Sequence, residues 1–432
     1  MTRRLAEFLA SARFEDVPVE DTRRAVLDWL GSALAGSLEP PARMIQRICL
    51  GASNEATVFS ATRASAAAAA LQNGVASHIL EFDDVHKGST LHAAAPIIPA
   101  ALAVAEREHS SGRDFLLAVA VGYEAALRIG EAVNPSHYRF WHPTGTVATF
   151  GAAAAAGSLL RLDTAQMLDA LGTAGTQAAG LWEFNADGAM SKHLHPGKAA
   201  FNGILAADLA RLGFTGATRI LEGDRGFFAA TSTAPDESKV TDGLGKTWKI
   251  AENCYKMHSC CGHTHTAIDV ALDLRQHIRN RETTAIEIEI YGPGFEIVNE
   301  MNPQTPYQAK FSIAYCVAAA LSEGRAGLEQ FSAGRTPLLR KTSVRVADDL
   351  TAKYPAAWPA RVKITLDDGA VLRGASDFPR GNPENPVSTS DLEMKFNSLV
   401  EPRFGAATAQ RALETLHSIE DIQDMATAFS NL

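Results

Sequence analysis

The sequence is sparing in several features, and each shortage narrows what the protein can be. It holds only five cysteines in 432 residues. That gives no disulfide framework, so a reducing compartment, and with it a cytoplasmic location, is expected. Positive charge is also short: 40 Lys and Arg against 49 Asp and Glu leave a formal charge of −9. Proteins that hold nucleic acid by neutralising phosphates are normally basic, so no nucleic-acid partner is expected. An anionic small substrate stays open, because a pocket can be locally positive inside an acidic shell. Long hydrophobic runs are missing too. The longest apolar stretch, residues 147–160, is rich in Ala and Gly and falls short of the ~20 residues that cross a bilayer. Glu7 interrupts the apolar run that an export signal would need after Arg3 and Arg4. No membrane partner is expected.

What is present is a globular composition, 46% hydrophobic and 21% charged, which excludes disordered and collagen-like chains. The length fits two or three domains at roughly 100–200 residues each. Residues 1–241 read as helix after helix. Over 21–35, Ala25, Leu27, Leu30 and Leu34 fall at helical spacings, with Asp21 and Thr22 as cap candidates. Residues 65–80 are Ala-rich and suited to close helix packing; 96–108, 114–132, 146–160 and 164–180 add further buried helices. Asp163 ahead of Gln166 is an N-cap signal, and Gly180 a stop.

The pattern changes after about residue 241. Ile286, Ile288 and Ile290 alternate with Glu287 and Glu289 as in a half-buried strand, and 342–347 reads as a second. Residues 361–366 and 370–373 flank Asp367-Asp368-Gly369 as a hairpin. Residues 310–321 read as a helix. The stretch 379–386, with Pro379, Pro383, Pro386 and Gly381, reads as a linker. The fold class expected is mostly α: a large all-helical domain over 1–241 and 389–432, and a smaller α+β domain of antiparallel sheet and helices over 242–388.

Chemistry-bearing residues gather in five places. Glu81-Phe82-Asp83-Asp84-Val85-His86, with His92 after it, would set acids against the dipole at a helix end, either as a capping and salt-bridge cluster or as a metal site. Trp141-His142-Pro143-Thr144-Gly145-Thr146 leads into an Ala-rich helix, so His142 would stand where free N–H groups favour an anion, unless it is a packed core histidine. Lys192, His193, His195 and Lys198 crowd one short stretch among small residues. They form either a basic surface stripe or a carboxylate-binding group with a tuned lysine. In Lys256-Met257-His258-Ser259-Cys260-Cys261-Gly262-His263-Thr264-His265 the spacing matches no common structural zinc site; a zinc hydrolase on Cys260, His263 and His265, a Cys nucleophile, and buried inert thiols all remain readings. Tyr315 is by spacing alone an ordinary core tyrosine.

Taken in order, Gln72-Asn73-Gly74-Val75-Ala76-Ser77-His78 with Glu81-Phe82-Asp83-Asp84, His142-Pro143-Thr144-Gly145-Thr146, Lys192 with Leu194-His195-Pro196-Gly197-Lys198-Ala199-Ala200, and Cys260-Cys261 with Thr264-His265 and Ala267-Ile268-Asp269 resemble the MmgE/PrpD family over nearly the whole chain. That family includes 2-methylcitrate dehydratase, cis-aconitate decarboxylase and iminodisuccinate epimerase. The resemblance implies a homodimer and an active site between two domains, with no metal and no organic cofactor. It also implies catalytic roles for His92, His142, Lys192, Lys256 and Tyr315 and a site role for the Asp83/Asp84 stretch, with Cys261 standing where a decarboxylase member has a histidine. Thr144, His193 and His263, beside these positions, are expected to join Asp83, Asp84 and Cys261 in contacting substrate. The reaction implied is a cofactor-independent dehydratase- or decarboxylase-type lyase on a small di- or tricarboxylate, with an epimerase as the alternative and a non-catalytic carboxylate binder as a further one. Departures from the family pattern bear on substrate: Ala93 follows His92 where Pro is usual, His193 replaces a usual Arg, and Gly262-His263 replaces Arg-Phe.

Overall fold

The computed structural model describes residues 1–49, 53–332 and 336–429. The chain falls into two compact units. One comprises Met1–Ile79, Asp83–Asn253 and Ser388–Leu432; the other comprises Cys254–Val387 together with Leu80–Phe82. Among the described residues no helix is long and apolar enough to cross a membrane.

The first unit is helical. Its core is built from α1 (Val19–Gly36), α2 (Ala66–His78), α3 (Ala94–Arg107), α4 (Gly112–Val133), α5 (Val147–Leu159), α6 (Thr164–Gly175) and α7 (Ser191–Arg211). Alanine and glycine dominate the buried faces, so backbones approach closely. At the crossing of α2 with α7, a Cβ on Gly74 would lie 2.8 Å from the Gly197 Cα, and one on Gly197 would lie 2.3 Å from the Leu71 carbonyl oxygen. The C-terminal helix Thr389–Phe404 returns to α1 through the buried Lys395–Asp28 pair at 2.6 Å.

Several ends differ from the sequence expectation. Helix α1 begins at Val19 with Pro18 as N-cap, and Asp21 and Thr22 lie inside the first turn. The Thr22 hydroxyl instead donates to the Pro18 carbonyl at 3.0 Å. Helix α3 starts at Ala94, ahead of Pro96, because the distant Asp84 carboxylate accepts the Ala94 N–H at 3.0 Å. Helix α6 carries the expected Asp163/Gln166 capping box but stops at Gly175, since the chain then extends to pair with 141–142.

The second unit holds one four-stranded sheet, β1 (Thr283–Ile290), β2 (Thr342–Val346), β3 (Ala360–Leu366) and β4 (Val371–Ser376), in the order β2-β1-β3-β4. The α+β domain expected here has its antiparallel pairs, but one pairing differs from the antiparallel expectation: β2 runs parallel to β1. The long connection between them carries helices at Gly292–Val298, Pro306–Lys310, Ile313–Glu323 and Leu328–Ser332, and a crossover of that length delivers parallel strands. β3 is antiparallel to both its neighbours, with Gly369 at φ +82° in the turn to β4. Ile286, Ile288 and Ile290 are buried. Glu287 and Glu289 face outward and pair across the register with Lys363 and Arg361 at 2.7 and 2.8 Å.

Helix α8 (His265–Arg275) packs on β4, where a Cβ on Gly374 would meet Val270 at 2.8 Å. The expected 310–321 helix is two pieces, Pro306–Lys310 and α9 (Ile313–Glu323), because the Ser312 hydroxyl caps the second by accepting the Tyr315 N–H at 3.1 Å. Residues 379–386 are no loose linker. Gly381 is backed against Tyr255, accepting its N–H at 2.9 Å, and Asn382 pairs with Asn385.

Candidate active site

In the first unit the cluster grows from helix ends and from the α2–α7 crossing. Helix α2 ends on His78, before the acids rather than among them. The Asp83 carboxylate lies 2.7 Å from His78 Nδ1 and 3.5 Å from His92 Nδ1. Imidazole beside a helix C-terminus suits the dipole, and Asp83 balances it. His92 Nδ1 sits 2.6 Å from the Asp84 carbonyl oxygen. A carbonyl only accepts, so the His92 ring proton is on Nδ1 and its Nε2 carries the lone pair. The Thr144 hydroxyl accepts the His92 backbone N–H at 3.2 Å. Asp84 is fully buried and receives bonds from Tyr123 Oη at 2.7 Å, Asn253 Nδ2 at 2.9 Å and the Ala94 N–H. Burial pushes its carboxyl up to about 7, against the Tyr123 hydrogen bond.

His142 sits on the turn before α5, its N–H donating to Gly180 O at 3.0 Å. Its ring centroid is 5.7 Å from that of His78, 6.3 Å from His92 and 5.2 Å from His195; Trp182 at 4.9 Å and Phe184 at 5.6 Å wall it. The Gly74–Gly197 crossing carries His193 to 6.4 Å from His78, and Lys192 lies 6.0 Å over the Phe184 ring. Lys192 and His193 are buried, which removes the surface-stripe reading. Burial first, then the charges of His195, His78, Lys192 and His92, holds His142 well below the usual imidazole range. Expected residues His92, His142, Lys192, His193, Asp83, Asp84 and Thr144 thus fall in one neighbourhood of this unit. Its further members are His78 and His195, together with Tyr123 and Asn253. The histidines stand inside the sequence motifs. Nothing local marks Tyr123 or Asn253, whose partner Asp84 is far away in the chain.

The second unit contains Lys256, Tyr315, Cys261 and His263. Lys256 is buried, with Nζ 3.1 Å from the Glu81 carbonyl oxygen and 3.6 Å from its carboxylate. His263 Nδ1 lies 2.5 Å from Tyr291 Oη; burial and then the Lys256 charge push it down to about 3. Cys261 is buried, its N–H donating to Lys310 O at 3.0 Å. Tyr315 lies in a packed core with Cys260, Cys316 and Phe331, and its hydroxyl donates to Gln330 O at 2.6 Å. A zinc set of Cys260, His263 and His265 does not form among the described residues: His263 turns away to Tyr291 Oη, while the Cys260 thiol, 3.0 Å from Thr264 Oγ1, and the His265 ring interact with each other. His258 instead pairs with Asp269 at 2.9 Å, and holds that carboxyl low even though burial would raise it.

Among the described residues two groups bring donors close enough to hold an ion, His78/Asp83/His92 and His86/Glu131/Glu252. His92 Nδ1 gives its hydrogen to a carbonyl. His86 Nδ1 accepts the Ser89 N–H at 3.2 Å, so its ring proton faces the two carboxylates, and the Lys249 ammonium lies 3.0 Å from each of them.

Comparison with known proteins agrees with the whole-chain pattern. Residues 3–239 match the MmgE/PrpD N-terminal domain, and residues 258–421 the MmgE/PrpD C-terminal domain. The chain is 27% identical to the cis-aconitate decarboxylase-like protein oryM of Aspergillus oryzae (strain ATCC 42149 / RIB 40), covering 98% of this chain and 95% of that one. It is 29% identical to cis-aconitate decarboxylase of Homo sapiens, over 95% and 89% of the two chains. To cis-aconitate decarboxylase of Aspergillus terreus it is 26% identical, over 92% and 89%.

Proposed function

The chain belongs to the MmgE/PrpD family and is an enzyme of its lyase type; from that premise we propose that it removes a group next to a carboxylate on a small di- or tricarboxylate, without a cofactor. The observation that carries this reading is the first unit's largely buried cluster, where His78, His92, His142, His193, His195 and Lys192 gather beside Asp83 and the neutral-leaning Asp84. Such a cluster repels its own protonation and favours an anion that brings negative charge.

The named relatives make decarboxylation of cis-aconitate the first reaction to test. In that step the C–CO₂ bond of the CH₂–CO₂⁻ arm breaks, CO₂ leaves, and the electron pair shifts through the neighbouring C=C bond to the far alkene carbon, where that carbon's carboxylate delocalises it. A proton then closes the new C–H bond. Fixed positive charge from Lys192 and Lys256 on the substrate oxygens is the largest lever on the carbanion. His92, with its lone pair on Nε2, and His142 are assigned the acid and base work. Tyr315 is assigned proton delivery, from a hydroxyl that now donates to Gln330 O. Asp83, Asp84, Thr144, His193, Cys261 and His263 are assigned to shaping the substrate's surroundings.

Incubation with cis-aconitate should release CO₂, and His142→Ala or Lys192→Ala should lower the rate by ~10² or more, the range for acid–base groups. No turnover of cis-aconitate, citrate-like or aspartate-derived acids, or unaltered rates in both variants, would overturn the reading. Tyr315→Phe tests the proton donor separately. We assign the enzyme to the cytoplasm as a homodimer. Leu194 and Leu205 within α7, and Met190 and Leu212 at its ends, recur near one face and are 39–82% exposed, a stripe that a second copy would cover. A monomer by sedimentation would count against that assembly.

A further inference from the structure

His195 lies beside the catalytic cluster with no role so far. Its Nδ1 is 2.9 Å from His142 Nδ1. The approach is built in by two glycines. A Cβ on Gly145 would come within 3.2 Å of the His195 Cβ and 2.8 Å of Ala179 O, and one on Gly180 within 3.3 Å of His195 Nδ1. Phe184 lies edge-on to both rings, 5.6 Å from His142 and 5.5 Å from His195, so apolar surface flanks the contact.

Two ring nitrogens at this distance hold one hydrogen between them: one donates and the other must accept. Were both rings imidazolium, two N–H groups would face each other. The pair therefore takes up at most one extra proton and titrates as a unit.

We propose that His195 is a positioning residue for His142: its Nδ1 accepts the hydrogen bond that keeps the proton of neutral His142 on Nδ1, so that His142 Nε2 presents its lone pair to the substrate. When Nε2 takes a proton, the imidazolium stays anchored through the same bond. An uncharged acceptor does this without holding His142 permanently cationic, as a carboxylate would. Burial, followed by the charges of His78 and Lys192, pushes His195 itself down to about 4, in keeping with a neutral acceptor. The inference rests on the acid–base role given to His142 above.

The test combines nitrogen-15 NMR of histidine-labelled full-length protein with steady-state kinetics on cis-aconitate. His142→Ala supplies the resonance assignment and a separate check of the lyase reading. In the wild type His142 should carry its proton on Nδ1. His195→Ala should mix or reverse that tautomer and lower kcat by ~10-fold or more, with KM held within about threefold, the signature of a loss felt in the transition state. His195→Asn places an amide oxygen where Nδ1 stood, and should restore both the tautomer and most of kcat. A wild-type His142 proton on Nε2, a tautomer unmoved by His195→Ala, or an Asn variant no better than Ala would overturn the proposal. If His195→Ala does not fold, the wild-type and Asn spectra decide. Full activity in His142→Ala would remove the lyase role of His142, and the spectra would still judge the pairing.

Discussion

Several buried charges in this protein are matched side chain to side chain, and the Lys256–Glu81 pair shows what such a match is worth. Both side chains are almost fully covered, 1% and 2% exposed, and the ammonium also takes the Glu81 carbonyl oxygen. Glu81 has φ +56°, a left-handed conformation that costs a non-glycine residue ~1–2 kcal/mol. Glu81→Gln should destabilise the protein by ~3–5 kcal/mol, because it leaves a buried ammonium uncompensated. Adding Lys256→Met should recover part of that loss. Urea denaturation of the two variants checks this, and a change below ~0.5 kcal/mol in Glu81→Gln would show that the pair carries no such coupling. The sequence made the acids at 81–84 conspicuous but not their assignments. Asp83 goes to an imidazole, Asp84 to a helix N-terminus and Glu81 to a lysine far along the chain, and these long-range choices leave no trace in local spacing.

At the scale of elements, the α2–α7 crossing turns a sequence motif into site geometry. Gly74 and Gly197 read in the sequence only as parts of two motifs. In the fold they are the point where two backbones touch, and that contact sets His78 at the end of one helix beside Lys192 and His193 on the other. Gly197→Ala would drive a methyl to 2.3 Å from a carbonyl oxygen, and backbone cannot step aside as a side chain can. The expected cost is at least the ~1–3 kcal/mol of ordinary overpacking. Catalytic rate should fall further than stability predicts at a temperature where the fold persists, since the helices separate at the cluster. Circular dichroism melts and kcat measured on the same preparation test this; an unchanged kcat would place the crossing outside the site's support. Helix identity was legible because Ala-rich periodic runs leave little alternative, and the Ile/Glu alternation gave β1 directly. The parallel pairing of β2 was not, because strand direction is decided by the crossover 291–341 and not by the five residues of the strand. Nor was the stop of α6 at Gly175, where the competing partner is the backbone of 141–142.

For the whole molecule, the opposing shifts of buried groups fix how stability follows pH. Folding holds His137 and His195 down to about 4 and His263 down to about 3, in each case chiefly by burial. It pushes Asp84 and Glu106 up to about 7 by the same cause. Between about pH 4.5 and 6.5 the unfolded chain binds protons on three imidazoles that the folded chain leaves neutral, while the folded chain holds protons on two carboxyls that the unfolded chain has lost. The difference, 3 − 2 = 1 proton, favours the unfolded state's binding, so stability rises with pH there at ~1.4 kcal/mol per unit. His142 and His265 are also held down and add to that slope, while Glu124 and Asp21, held up by burial, take from it. The unfolded imidazoles lose their protons around pH 6.5 and the folded carboxyls lose theirs at about 7, so above about pH 7.5 neither state holds an excess and stability levels off. The denaturation midpoint should therefore climb from about pH 4.5 to about 7 and change little above that. His137 is fully buried between Thr146 Oγ1 and Thr231 O, so His137→Gln should take about one proton, ~1.4 kcal/mol per unit, off the acid-side slope. Glu106→Gln should steepen that rise by about one proton, since it removes a proton that only the folded chain holds there. Urea midpoints from pH 4.5 to 8.5 for the three proteins give the answer: an acid slope as steep in His137→Gln as in the parent would mean that His137 is protonated in the folded protein and that the neutral, buried imidazoles do not set its acid limit.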